Sequence, residues 1–186
     1  GAARRGTIMH FVMQHLDLQR LGVIMKEKDA CNRGLLMAEL EAQLADMVEK
    51  DQLTADEAEV VDIEEICRFF RTTVGSSMLF APFVRRETAF TIEIKCTEIY
   101  KDLPEDLYGD ESLLLQGVID CWFEVDGGLV LLDYKTDYVP PEGSGIIKER
   151  YKVQIDYYTR ALEKITGKKV VEKYLYLFDS GELVKY

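Results

Sequence analysis

The 186-residue sequence lacks clustered cysteines, long apolar runs and an excess of basic residues. Its four cysteines are scattered without a Cys-X-X-Cys pair or any cluster spacing, which predicts a reduced, cytoplasmic protein. No apolar run approaches the roughly 18–20 residues that a membrane span needs, and no secretory signal is evident, so we expect no membrane partner. The length predicts one domain with a substantial core.

The formal net charge of −11 is unusual for a protein that contacts nucleic acid, because such affinity comes largely from basic residues on phosphates. The acidity is concentrated between Glu39 and Glu65, where eleven acidic residues accompany only one base, Lys50. The remainder of the chain is nearly neutral. We therefore interpret the acidic segment as a solvated helical face turned away from any nucleic acid, and we expect this chain alone to bind such a partner weakly.

A hairpin between Leu113 and Lys135 is the central feature of the sequence. Two apolar runs flank the segment 126–128, Asp-Gly-Gly, and such residues supply the positive φ angles of a tight turn. A two-residue turn at 126–127 sets Asp120 opposite Asp133, whereas a turn shifted by one residue sets Asp120 opposite Lys135. In either register, two carboxylates and one ammonium group meet on neighbouring strands, with Lys135 on the same face as Asp133.

A carboxylate pair in an apolar sheet requires compensating positive charge. Lys135 can neutralise one of the two carboxylates. The other favours a divalent metal such as Mg²⁺, which usually takes one or two protein carboxylates together with phosphate and water. A purely structural ion-pair network explains the same spacing, and the spacing alone does not decide between these two interpretations.

Periodicity and capping signals predict the surrounding elements. Thr7 to Leu16 has helical periodicity, and Gly34 to Ile66 is predicted to be helical with a turn before Thr54, which forms a capping box with Glu57. Further predicted elements are a strand over Phe83–Lys95, a loop over Thr97–Glu111, a helix over Ile146–Gly167 and closing strands over Lys168–Phe178 and Glu182–Tyr186. We expect a mixed sheet flanked by helices, with an added helical subdomain at about residues 30–80 and a catalytic part at about 83–186.

Ordered motifs along the whole chain resemble a known nuclease family. The arrangement Asp120…Asp133-Tyr134-Lys135 resembles the Asp-(spacer)-Asp-X-Lys pattern of the PD-(D/E)XK nucleases. Around it stand, in order, Gly6-Thr7-X-X-His10, Arg86-Glu87, Gln116-Gly117-X-X-Asp120, Asp133-Tyr134-Lys135-Thr136-Asp137 and Gln154-X-X-X-Tyr158. Together they resemble the RecB-type nuclease domains, and among these the C-terminal nuclease domain of the AddA family of bacterial helicase–nucleases.

The resemblance implies a restriction-endonuclease-like α/β fold and a metal-dependent deoxyribonuclease. Its substrate would be single-stranded DNA unwound by an attached helicase, in the processing of double-strand breaks and recombinational repair. The implied catalytic residues are Asp120, Asp133, Lys135 and His10, and the implied metal ligands are Asp120, Asp133, the backbone carbonyl of Tyr134 and His10. Glu87 and Gln116 would support the site, and Gln154 and Tyr158 would hold the DNA.

The implied cofactor is Mg²⁺ or Mn²⁺, and the absence of clustered cysteines predicts no iron–sulfur cluster. The chain has no Walker A motif, so we expect it to be a nuclease domain excised from a longer chain, whose helicase region would bind ATP and whose partner protein would be AddB. Two alternatives stay open at this point: a non-catalytic DNA-binding or scaffolding module of the same fold, and a stand-alone nuclease of the superfamily.

Overall fold

A five-stranded mixed sheet organises the computed structural model, which describes residues 1–26 and 32–186. The strands follow one another across the sheet in chain order, and all neighbours are antiparallel except the parallel pair of the third and fourth strands. They are β1 (Val84–Lys95), β2 (Ser112–Val125), β3 (Gly128–Lys135), β4 (Val170–Leu177) and β5 (Glu182–Lys185). This arrangement confirms the expected α/β class.

Helices cover the two faces of the sheet. In the described residues they are α1 (Ala2–His15), α2 (Leu18–Lys26), α3 (Asn32–Glu49), α4 (Ala55–Ala58), α5 (Ile63–Phe70), α6 (Thr73–Phe80), α7 (Cys96–Ile99), α8 (Glu105–Tyr108) and α9 (Gly145–Thr166). None of these helices is both long and apolar enough to cross a membrane.

Two apolar cores lie on opposite faces of the sheet. Val130 and Leu132 of β3 point into a core that contains residues of α1, α2, α3, α5 and α6, whereas Leu129 and Leu131 point into a core shared with α9. The helices of residues 32–80 therefore share one core with the sheet. The expected separate helical subdomain stays a prediction, and its start near residue 30 lies outside the described residues, as does Cys31.

The local signals locate most element boundaries correctly. Thr54 and Glu57 form the expected capping box at the start of α4, and α9 ends at Gly167, whose φ of 70° is the left-handed conformation that favours glycine. The predicted loop over 97–111 is wrong, because it contains most of α7 and all of α8. Both helices have only four residues, too few to show an apolar period, and neither begins with a capping side chain as α4 does.

The hairpin adopts the first of the two expected registers. Val125 pairs with Gly128, and Cys121 pairs with Leu132, so that Asp120 lies in register with Asp133. Gly127 has a φ of 91°, which glycine adopts without strain. The Asp-Gly signal therefore set both the turn and the relative position of the two carboxylates.

We expect Gly75→Ala to destabilise the helical layer strongly. A Cβ atom at Gly75 of α6 would lie 2.1 Å from the backbone oxygen of Phe69, and a backbone atom cannot move away cheaply. A loss of roughly 2–4 kcal/mol in the free energy of unfolding, measured by urea denaturation, is expected for such an overlap. The matched control is Gly34→Ala in α3, where a Cβ meets nothing within 4 Å and should stabilise by about 0.5–1 kcal/mol. Equal effects of the two substitutions would contradict the packing.

Candidate active site

The side chains of strand β2 switch from one face of the sheet to the other at Asp120. Ile119 belongs to the core beside α9 and Cys121 belongs to the opposite core, although residues two apart on a regular strand face the same side. The strand pairing of β1 and β2 includes Arg86–Cys121 and Thr88–Ile119 but omits the position between them, where Glu87 lies opposite Asp120. Glu87 has a φ of 54°. A left-handed backbone conformation is strained for glutamate, and residues with such strain are concentrated at functional sites.

One oxygen of Asp120 joins three elements. Asp120 Oδ2 lies 3.0 Å from His10 Nε2 on α1 and accepts a hydrogen bond of 2.8 Å from the backbone N–H of Tyr134 on β3. His10 Nδ1 lies 2.8 Å from the backbone oxygen of Gly6. Both ring nitrogens therefore face acceptors, which favours the doubly protonated imidazolium. Burial alone lowers the pKa of His10, but the hydrogen bond and charge of Asp120 outweigh it and raise this pKa to about 9.

Asp133 and Lys135 form a buried ion pair next to this contact. Asp133 is only 1% exposed, and Lys135 Nζ lies 2.6 Å from its Oδ2. Burial, followed by the charge of Asp120, raises the pKa of Asp133 against the opposing effect of Lys135. Burial lowers the pKa of Lys135, but the charges of Asp133 and Asp120 together raise it above its ordinary value. The ion pair therefore favours the ammonium form of Lys135.

Lys135 is held from its other side by helix α9. Its Nζ lies 4.4 Å from the centroid of the Tyr151 ring, a cation–π contact. The Tyr151 hydroxyl donates to the Asp137 carboxylate at 3.1 Å, and Asp137 also accepts from Arg150 at 2.9 Å. The motif that contains Lys135 and Asp137 thus folds back on α9, which fixes the position of the ammonium group.

An open cleft of about 500 Å³ borders this cluster. Gly6, His10, Glu87 and Asp120 line the cleft, so the structure brings Glu87 to the same cleft as Asp120. Burial, and then the charge of Asp120, raises the pKa of Glu87. Two acidic side chains therefore face the cleft, and the buried pair of Asp133 and Lys135 lies next to Asp120.

The remaining expected site residues lie in a neighbouring cavity. Gln154 Nε2 donates to the Tyr158 hydroxyl at 3.0 Å, and both side chains line this cavity together with Gln116. Burial, and then the charges of Asp133 and Asp120, raises the pKa of Tyr158 to about 12. Gln116 donates only a long hydrogen bond of 3.4 Å to Thr91, so the structure groups it with Gln154 and Tyr158 rather than with the carboxylate cleft.

Arg86 is a positioning residue that sequence reasoning missed. Its Nη1 donates to the backbone oxygens of Met13 at 3.1 Å and Leu16 at 2.7 Å, at the C-terminal end of α1. The last carbonyls of a helix lack partners within it, and a guanidinium group satisfies them and interacts favourably with the helix dipole. Arg86 therefore anchors the helix that carries His10. Contacts to a helix about seventy residues away have no local signature in the sequence.

The donor set fits a divalent cation of the Mg²⁺ type. Among the described residues, no three His, Cys, Asp or Glu side chains form a ready-made metal cage. Mg²⁺ does not need one, because one or two carboxylates with water and phosphate suffice. Burial, and then the charge of Asp120, raises the pKa of Asp133, so a further cation beside the pair would favour the ionised carboxylate. A divalent ion would supply that charge.

This combination of a mixed sheet and paired aspartates beside a lysine defines a nuclease-type site. The profile of the PD-(D/E)XK nuclease superfamily matches residues 1–185, and the chain belongs to that superfamily. Nucleases of this superfamily generally use divalent metal ions.

The chain is also similar to curated bacterial proteins that are named as subunits of an ATP-dependent helicase/nuclease. It is 48% identical to the protein of Acetivibrio thermocellus over 99% of this chain, 49% identical to that of Thermoanaerobacter sp. over 100%, and 45% identical to that of Clostridium novyi over 95%. These alignments cover 13%, 14% and 13% of the relatives' own lengths. The sequence therefore corresponds to about one seventh of each relative.

We expect Arg86→Met to loosen the C-terminal end of α1. The substitution removes two hydrogen bonds from a charged donor, and a loss of about 2–3 kcal/mol in the free energy of unfolding is expected. Amide hydrogen exchange should accelerate near Leu16 and His10. The matched control is Arg85→Met, which removes only a cation–π contact with Phe83 at 5.7 Å. Unchanged exchange in α1 of the Arg86 variant would contradict the anchoring role.

We expect His10 to make the stability of the metal-free protein depend on pH. Its pKa rises from 6.5 to about 9 on folding, so the stabilisation is fully present below pH 6.5 and is lost as the pH rises through 9. In EDTA, the free energy of unfolding of the native protein should fall between pH 6.5 and about 9. This fall should exceed that of the His10→Gln variant by up to roughly 3 kcal/mol. His15→Gln, which alters an exposed histidine of the same helix, serves as the control. A native-like pH profile in His10→Gln would refute the imidazolium–carboxylate contact.

Proposed function

We propose that this chain hydrolyses phosphodiester bonds of single-stranded DNA with Mg²⁺ or Mn²⁺. It would be the nuclease part of a longer helicase–nuclease that processes double-strand breaks for recombinational repair. The observation that carries the proposal is that Asp120, which lines an open cleft, lies next to the buried ion pair of Asp133 and Lys135. The family and the names of the similar proteins support it.

Asp120, Asp133 and the backbone carbonyl of Tyr134 would hold the divalent ion, with His10 completing or bordering the site. The ion supplies Lewis-acid chemistry, because it lowers the pKa of water and offsets charge on the phosphate. Asp120 shares one oxygen with His10 and Tyr134, and Asp133 shares one with Lys135. Each aspartate therefore has one further oxygen that can face a cation.

Lys135 would act by its charge rather than as a base. Its pKa is raised, so the ammonium keeps its proton at neutral pH and can stabilise the negative charge that develops on the scissile phosphate. The Asp133 carboxylate and the Tyr151 ring hold the ammonium in place from two sides. Glu87 would support the site by restraining His10 and the water structure of the cleft. Gln154 and Tyr158 would position the strand.

The longer protein would supply what this chain does not contain. The relatives' name includes an ATP-dependent helicase, so a helicase region of the full-length chain would bind ATP and deliver unwound DNA to the cleft. AddB would be the partner protein, and the complex would act in the cytoplasm.

We expect Asp133→Asn and Asp120→Asn each to lower Mg²⁺-dependent cleavage of linear single-stranded DNA by at least about 100-fold, because each removes a negative charge that would bind the ion. The matched control is Asp126→Asn in the hairpin turn. Asn-Gly suits that turn as well as Asp-Gly does, so this variant should retain full activity.

Cleavage is measured with a labelled oligonucleotide in Mg²⁺, in Mn²⁺ and in EDTA. Native rates in Asp133→Asn, with an unchanged melting temperature, would reject the assignment of the site. Binding of DNA by the native protein without metal-dependent cleavage would instead support the non-catalytic module.

A further inference from the structure

A second cavity of about 280 Å³ lies between the β1–β2 ribbon and helix α9. We call it the groove cavity; Phe90 and Gly117 form its floor, and Leu115, Val153 and Tyr157 form its wall. A Cβ atom at Gly117 would lie 2.7 Å from the Phe90 ring, so glycine allows the ring to pack directly on the strand. The groove cavity is therefore apolar, partly aromatic and shaped by a close contact that only glycine permits.

The groove cavity contains one polar atom that no protein group satisfies. The Gln154 amide nitrogen donates to Tyr158, but within the described part of the chain its Oε1 is buried without a hydrogen-bond partner. A buried, unsatisfied acceptor costs about 1–3 kcal/mol, so native structures retain one only where something else satisfies it. Rotation of the Gln154 amide toward the groove cavity would let this oxygen accept from an N–H donor on a ligand.

The groove cavity is also close to the carboxylates. Gly117, which lines the groove cavity, precedes Asp120 by three residues on β2, which is about 10 Å along the strand. The Tyr158 ring packs edge-on against Phe90 with centroids 5.5 Å apart. A strand whose backbone reaches the carboxylate cleft therefore passes next to the groove cavity.

We propose that the groove cavity binds one unpaired nucleobase of the strand held at the carboxylate cleft. Its volume lies just below the range of drug-sized pockets, which suits a single flat heterocycle. Tyr157 and the aliphatic wall offer a surface for the face of a base, and such contacts tolerate any base. Each base carries an N–H donor on its pairing edge for Gln154. The inference rests on the proposed function, because it requires a DNA strand at the cleft.

This subsite provides a physical reason for a preference for single strands. A base in a duplex is stacked and paired, and extracting it costs a few kcal/mol. A base of an unwound strand has already lost its partner, so it enters at a lower cost. The groove cavity would thereby select the product of a helicase over intact duplex without reading its sequence.

The test measures binding in EDTA, where cleavage cannot occur, by fluorescence anisotropy. The probes are oligothymidylate and a fully abasic oligomer of the same length. The native protein should bind the base-containing probe at least about five-fold more tightly, as stacking of one base predicts. Val153→Trp fills the groove cavity from its rim, since Val153 is 62% exposed, and should bring the ratio of affinities close to one. Tyr157→Ala should lower the ratio, and Val171→Trp, at an exposed position of β4 outside the groove cavity, should leave it unchanged.

An unaltered ratio in Val153→Trp and Tyr157→Ala, with melting temperatures like that of the native protein, would overturn the inference. The proposed function fails separately. Loss of base preference in these variants, together with an absence of metal-dependent cleavage in the native protein, would keep the base subsite and reject the nuclease. Metal-dependent cleavage by a native protein that binds both probes equally would keep the nuclease and reject the subsite.

Discussion

The site depends on the Asp120 carboxylate, because one of its oxygens connects strand β2 to strand β3 and to helix α1. The contacts to Tyr134 and His10 span 14 and 110 residues of sequence, so the cluster forms only when the helical layer has packed against the sheet. Arg86 holds the other end of α1 in place. A single carboxylate thus makes the geometry of the cleft depend on the packing of the whole helical face.

Charge balance explains how two aspartates can lie so close together. In the folded chain, an imidazolium at His10 and an ammonium at Lys135 oppose the two carboxylates, although burial raises the pKa of Asp133. A buried ion pair adds little stability by itself, but removal of one member leaves an uncompensated charge. In the proposed function, a divalent ion bound by Asp120 would compete with His10 for that carboxylate.

The sequence predicted those features that have local causes. The Asp-Gly turn fixed the register of Asp120 and Asp133, and the Thr54–Glu57 box fixed a helix start. Other features depend on contacts that no local pattern encodes. The switch of faces at Asp120 results from a left-handed Glu87 on a neighbouring strand, and the contact of Lys135 with Tyr151 requires the packing of α9 on the sheet. For the same reason Gln116, adjacent to the site in the motif order, belongs to the neighbouring cavity.

The distribution of charge suggests how an acidic chain could hold DNA. Three of the five basic residues of α9 are engaged in ion pairs: Arg150 with Asp137, Lys152 with Asp156 and Arg160 with Glu98. These exposed pairs are weak and can open, but they leave little net positive charge along α9. Contacts to bases do not depend on that charge, since stacking and a hydrogen bond to Gln154 use apolar surface and an amide. A strand held by its bases at the groove cavity would place its backbone at the cleft despite the acidic surroundings, and the divalent ion would then supply the positive charge for the scissile phosphate.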